Sequence, residues 1–260
     1  MKKQFGPLLL ILFLVVSPAH SKDLVIVVKI SGSINPAVAE YVSHEINQAN
    51  ADQEALIVLH MDTPGGLDTS MRQIIKKIQG SQVPVASFVA PSGSRAASAG
   101  TFITIASHIA AMAPGTNIGA AHPVNMMGGG GESEQAKTME QKVVNDAAAY
   151  IRSLAELRKR NVHWAELAVV QSVSISAEEA KRLNVIDLIA GDVKALALAV
   201  DGREVQVASG SVTLKTGNLA IVYHEMNPRQ KFLDLISNPN VAYILMMLGL
   251  VGLYFELSNP

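Results

Sequence analysis

Apolar residues along the chain fall into two rhythms. Residues 24–30 (LVIVVKI) and 55–61 (ALIVLHM) are nearly continuous apolar runs rich in β-branched side chains, the pattern of strands buried on both faces. Between them Val38, Tyr41, Val42, Ile46 and Ala49 recur at helical spacing behind Asn35-Pro36, which has N-cap and N1 chemistry. Strand, helix and strand in this order predict a βαβ unit with a right-handed crossover. The rhythm then repeats. Met71, Ile74, Ile75 and Ile78 form one apolar helix face, with Asp68 or Thr69 as its cap and Gly80 as its end, and residues 83–90 read as a third strand.

Further on, the pattern predicts a small-residue helix from Ser98 to about Ser107 and a short strand at 109–113. Residues 126–133 are too glycine-rich to hold one conformation. A long helix follows at 136–160, with an apolar face of Val143, Ala147, Tyr150, Ile151, Leu154 and Leu157. Ser176 to Glu179 is a capping box opening a short helix, residues 185–190 read as a strand, and Asp192 caps a helix ending near Asp201. A hairpin joins 204–208 to 211–215, a strand is expected within 217–223, and 228–236 is amphipathic. No internal repeat is evident.

Both ends of the chain raise its mean hydropathy to +0.26. Met1-Lys2-Lys3, the apolar stretch 8–16 and the small residues of Ala19-His20-Ser21 have the order of a signal peptide, so residues 1–21 are expected to be removed and the rest exported. Residues 241–255 (VAYILMMLGLVGLYF) form an uncharged run, short of the ~20 residues a spanning helix needs. This run reads as a buried C-terminal helix, an interfacial segment or, the favoured reading, the beginning of a membrane region.

Charge and cysteine content narrow the chemistry. A net charge of −1, no dense Lys/Arg block and 5% aromatic residues give no footprint for nucleic acid. The chain has no cysteine, which excludes disulfides, thiol nucleophiles and Cys-ligated metal sites. No metal or cofactor is expected.

What remains is acyl-transfer chemistry. The stretch Arg95-Ala-Ala-Ser98-Ala99-Gly100-Thr101 places a serine among small residues at a loop-to-helix junction, and Asp62-Thr-Pro-Gly65-Gly66 follows the second strand. A nucleophile facing two backbone N–H donors is the minimal equipment for acyl transfer. Ser98 is not in a Gly-x-Ser-x-Gly elbow, and Ser92 and Ser94 lie close by. Two residues could serve as the base. His122 offers an imidazole, the side chain most often used as a general base, whereas Lys142 on the long helix must first become neutral. Local sequence does not decide between them.

The segments VIVVKISGSI, LHMDTPGGL, SGSRAASAGTFI, MAPGTNIGAAHPV and AAAYIRSLAELRKRN resemble the ClpP-class membrane serine proteases of the NfeD family. A weaker match runs through the C-terminal NPNVAYILMMLGLVGLYFELSNP, which is similar to the start of that family's membrane domain. The resemblance implies an α/β fold of ClpP/crotonase-like stacked βαβ units. It implies a Ser–Lys dyad of Ser98 and Lys142, an oxyanion hole formed by the N–H groups of Gly66 and Ala99, and no metal site. Soluble ClpP is similar too, and its histidine falls close to His122. The acid that would orient that histidine is missing before Ser176, where the chain reads Gln171-Ser172-Val-Ser-Ile. Lys142 is therefore the expected base, with His122 as an auxiliary or substrate-side group.

The resulting expectation is a signal peptide (1–21), a protease domain (22–200), a hairpin and amphipathic connector (201–238) and the start of a transmembrane region (239–260). The resemblance implies an exported, membrane-associated endopeptidase with its protease domain on the extracytoplasmic side. It would be a homo-oligomer cleaving hydrophobic, membrane-proximal segments of proteins such as stomatin-like proteins. The alternatives are a non-catalytic scaffold for membrane proteins and a crotonase-type acyl-transfer enzyme.

Overall fold

The first three predicted strands and two predicted helices are all present. β1 (Val25–Ser31), α1 (Pro36–Asp52), β2 (Leu56–Asp62), α2 (Asp68–Gln79) and β3 (Val85–Val89) form two successive βαβ units. The computed structural model describes residues 24–124 and 134–258. The signal segment 1–21 and the glycine-rich stretch 126–133 lie outside the described residues. Asn35 caps α1 through its side chain, which accepts from Val38 N at 3.0 Å. α2 differs from expectation. Its N-cap is Leu67, with no side-chain bond, while Asp68 is already helical and holds Arg72 one turn on at 2.9 Å.

The chain continues through β4 (Arg95–Ala97), α3 (Ala99–Ala106), β5 (Ile109–Met112), β6 (Asn117–Gly119), α4 (Glu134–Leu157), α5 (Val162–Val170), β7 (Ser174–Ser176) and α6 (Ala177–Arg182). It ends with β8 (Leu188–Ile189), α7 (Val193–Val200), the hairpin β9 (Glu204–Val207) and β10 (Gly210–Thr213), β11 (Ile221–His224), α8 (Pro228–Ile236) and α9 (Pro239–Ser258). Six strands form one parallel sheet in the order β11-β1-β2-β3-β5-β8. Alternate residues of β2 serve opposite cores, as the pleat requires. Ile57, Leu59 and Met61 pack with α1, α2 and α3, whereas Leu56 and Val58 pack with α7 and the hairpin. β11 extends the sheet beside β1, so the segment read as a connector also contributes a strand to the sheet.

Three other expectations shift. The predicted strand 185–190 keeps only the two residues of β8. Beside it, Asp187 spends its carboxylate on Ala110 N and on Arg160, each at 2.7 Å. The buried stripe of α4 is Val144, Ala147, Ala148, Ile151, Leu154 and Ala155, while the predicted Val143 and Leu157 are 47% and 58% exposed. The stripe is turned because α4 packs against both α3 and α5. α5 and β7 were not anticipated.

Arg158 and Arg160 follow α4 and look like a solvated basic helix end in the sequence, yet they turn inward. Arg158 Nε donates to Ala106 O at 2.8 Å, and Arg160 Nη1 donates to Thr104 O, Ile105 O and Ser107 O at 2.6–3.1 Å. These are orphan carbonyls at the C-terminus of α3, where cations are favoured. Arg160 also pairs with Asp187, and its side chain is 2% exposed. Arg160→Ala removes the cation paired with the Asp187 carboxylate, which keeps only Ala110 N, and takes a donor from three carbonyls at the end of α3. It is expected to destabilise the fold by about 3–5 kcal/mol, read as a fall in melting temperature on the order of 10 °C. An unchanged melting curve would contradict this role.

α9 is the one long apolar helix among the described residues. Its span Asn240–Ser258 covers 19 residues, none of them buried among the described residues. At 1.5 Å per residue this is about 28 Å, close to the thickness of a hydrocarbon core.

Candidate active site

The two glycine- and alanine-rich loops leave the ends of adjacent parallel strands, β2 and β3, and a network of backbone bonds joins them. Thr63 N donates to Arg95 O at 2.8 Å and Ala97 N donates to Thr63 O at 3.1 Å, so the turn after β2 pairs with β4. Asp62 adds a side-chain acceptor for Arg95 N at 3.1 Å. On its other side the turn pairs with Ile34, whose N donates to Gly65 O at 2.8 Å and whose O accepts from Leu67 N at 2.9 Å. In extended backbone successive amides point in opposite directions, so this pairing turns Gly66 N–H away from Ile34. Among the described residues that N–H has no acceptor.

Ser98 stands between β4 and α3 as the helix N-cap residue, at φ 51° and ψ −115°. That is a strained setting for a residue with a Cβ, worth about 1–3 kcal/mol, and it persists only where neighbours over-determine it. Here they do. Ser98 N donates to Gly119 O at 3.1 Å, and the buried Thr101 hydroxyl reaches both Ala96 O and Gly119 O at 2.9 Å. The Ser98 hydroxyl makes no capping bond to α3. Ala99 N–H, the first helical amide, has no intrahelical acceptor and adds the positive end of the α3 dipole. Gly65 packs against Ser98 so closely that a Cβ there would lie 2.6 Å from Ser98 Cβ and 3.1 Å from its Oγ. The turn that carries Gly66 therefore packs directly against Ser98, and Ala99 is the next residue along the chain. The neighbouring Ser94 is buried and Ser92 lies in the preceding turn, so neither takes this position.

Lys142 lies on the third turn of α4, exposed and with no side-chain partner among the described residues. No hydrogen bond joins it to Ser98 in this conformation. α4 is nevertheless registered to the serine helix, because Tyr150 stacks on Phe102 with ring centroids 6.0 Å apart. His122 is half-buried, and its Nδ1 donates to Val169 O at 2.8 Å. The histidine thus has an orienting partner, contrary to the sequence reading, but this is a neutral carbonyl rather than a carboxylate. It fixes the ring orientation and the tautomer.

Arg72 was missed by sequence reasoning. One turn into α2, it holds Asp68 at 2.9 Å and Asp146 of α4 at 2.5 Å, and its guanidinium carbon lies 4.3 Å from the centre of the Tyr150 ring. Burial pushes its pKa down, but Asp68 and Asp146 more than offset this and leave it above its ordinary value.

A family model described as NfeD1b, N-terminal domain, matches residues 24–218. The membrane-bound protease PH1510 of Pyrococcus horikoshii is 35% identical over 256 residues, covering 97% of this chain and 57% of its own length. The chain spans about half the length of the curated relatives it matches. Among solved structures, the 1510-N membrane-bound stomatin-specific protease, in a lysine-to-alanine mutant holding a substrate peptide, superposes with TM-score 0.74 at 34% identity, covering 84% of this chain and 99% of that one. A serine-to-alanine mutant of the same protease gives TM-score 0.72 at 34% identity, covering 79% and 99%.

Proposed function

The chain belongs to the NfeD family through its NfeD1b-type N-terminal domain, and on that footing we propose that it is a serine endopeptidase with a Ser98–Lys142 dyad. One observation carries the reading: Ser98 is held in a strained backbone conformation beside two uncommitted amide donors. A packing or capping serine has no use for that strain. The matched relative is named a protease, and its solved mutants replace one serine and one lysine.

In the proposed cycle, neutral Lys142 takes the Ser98 proton as Oγ attacks the peptide carbonyl. Gly66 and Ala99 N–H groups hold the oxyanion. The ammonium then protonates the leaving amine as the C–N bond breaks, leaving an acyl-serine. Lys142 next takes a proton from water, the hydroxide attacks the ester, and the proton returns to Ser98 Oγ as the acid departs. For this to occur Nζ must come within ~3 Å of Oγ. A substrate strand lying between the serine loop and α4 would both draw the lysine in and remove its water.

Substrates of the stomatin class fit the reading, because the matched protease is stomatin-specific. α9 would hold the domain at an extracytoplasmic membrane surface, next to membrane-proximal segments. The exposed Met139 and Val143 on the base-bearing part of α4 favour a homo-oligomer or a bound strand covering that face.

A serine-reactive fluorophosphonate is expected to label the full chain once, on Ser98, with labelling lost in Ser98→Ala. Mass spectrometry of the adduct checks this. An unlabelled native protein, or labelling that survives Ser98→Ala, refutes the assignment.

A further inference from the structure

We infer that Arg72 is a positioning residue for the base: it holds α4 against α2 and keeps the Asp146 carboxylate away from Lys142. This rests on the proposed role of Lys142. Lys142 and Asp146 are four residues apart on α4, the spacing at which a lysine and an aspartate pair across one turn. That pair is not made. Asp146 turns to Arg72 at 2.5 Å, and Lys142 has no counterion among the described residues. A lysine that must surrender its charge to act as a base is hindered by a carboxylate beside it.

Arg72 is well placed for this task. It stands one turn after Gly66 and Leu67, so it ties the helix leaving the oxyanion turn to the helix carrying the base. Asp68 grips its Nε from one side, and the Tyr150 ring lies under the guanidinium. This fork-and-face arrangement suits arginine and is unavailable to lysine. The other charged groups leave Asp146 as the one carboxylate a turn beyond the base. On α4 itself, Glu134 is two turns before Lys142, and Lys137 and Glu140 are at other angular positions. On α2, Asp68 is bound to Arg72, and Lys76 and Lys77 lie toward its far end. α3 carries no ionisable side chain. On α5, Glu166 is taken by Arg152 at 2.5 Å, and His163 lies toward the far end of α4.

The pH–rate profile of the full chain cleaving a peptide tests this. Arg72→Gln frees Asp146 to pair with Lys142, so the acid limb of kcat/KM is expected to move about half a pH unit toward alkaline pH. Adding Asp146→Asn to that variant should return the limb to its original position. The Arg72–Asp146 pair is solvent-exposed, with side chains 36% and 69% accessible, so both variants should fold and melt nearly as the native protein does. A merely structural role would lower the rate without moving the limb. An unmoved limb in Arg72→Gln, or a shift that Asp146→Asn fails to reverse, overturns the inference. Fluorophosphonate labelling of Ser98 run alongside separates this outcome from failure of the dyad: if native protein labels and cleaves but the limb does not move, only the role of Arg72 falls.

Discussion

Replacing Lys142 by alanine is expected to lower kcat/KM for peptide cleavage by about 10³-fold, in line with the loss of a general base. Lys142 is exposed and has no partner among the described residues, so the melting temperature should barely change. His122→Ala should keep activity within about tenfold of native, because its Nδ1–H is committed to the neutral carbonyl of Val169 at 2.8 Å rather than to a carboxylate. The sign of the pH dependence follows from the chemistry. A lysine base works only when deprotonated, so kcat/KM should rise with pH through an extended acid limb. A histidine base would bring the plateau down to near neutrality. A profile flat down to pH 5 would argue against a lysine base, and a Lys142→Ala enzyme that turns over normally while His122→Ala is dead would exchange the two roles.

Much of this site could be read from the chain. The strands at 24–30 and 55–61 are apolar on both faces because helices cover both sides of a parallel sheet, and the consecutive pairing of β1, β2 and β3 brings their exits to one edge. The backbone of Ser98 was not legible. Its strain is imposed by Gly119 O and the Gly65 contact, both outside the local stretch, together with the two bonds of the Thr101 hydroxyl, and no Gly-x-Ser-x-Gly signature announces it. α5 was missed because VHWAELAVV is apolar on most sides, which erases the helical stripe. Arg160 was missed for the opposite reason: in AELRKRN it looks solvated, and only the carbonyl end of α3, more than fifty residues away, explains its burial. Arg72 belongs to the same class, since its partner Asp146 lies 74 residues further on.

Gly66→Ala is the second substitution expected to be severe, lowering kcat by about 10²–10³-fold, the cost of one lost oxyanion donor. A Cβ at this position would lie 2.1 Å from Ile34 O and 2.5 Å from Ile34 N. Those two atoms hold the turn in place, through Leu67 N and Gly65 O respectively. Nothing in that clash can be relieved by a side-chain rotation, so the turn itself must move, and the Gly66 amide moves with it. Gly65→Ala reaches the same site differently, straining a backbone at φ 119° and pushing on Ser98 Cβ from 2.6 Å. It should therefore slow fluorophosphonate labelling as well as hydrolysis, because it displaces the nucleophile. Gly93→Ala is the control. Gly93 also has a positive φ, at 90°, but a Cβ there meets nothing within 4 Å. Its replacement should cost on the order of 1 kcal/mol of stability and leave kcat unchanged. Measured side by side, a Gly66→Ala protein that melts like Gly93→Ala yet cleaves a hundredfold more slowly places the lost function in the turn. If Gly66→Ala cleaves as well as Gly93→Ala does, the oxyanion is held by other donors.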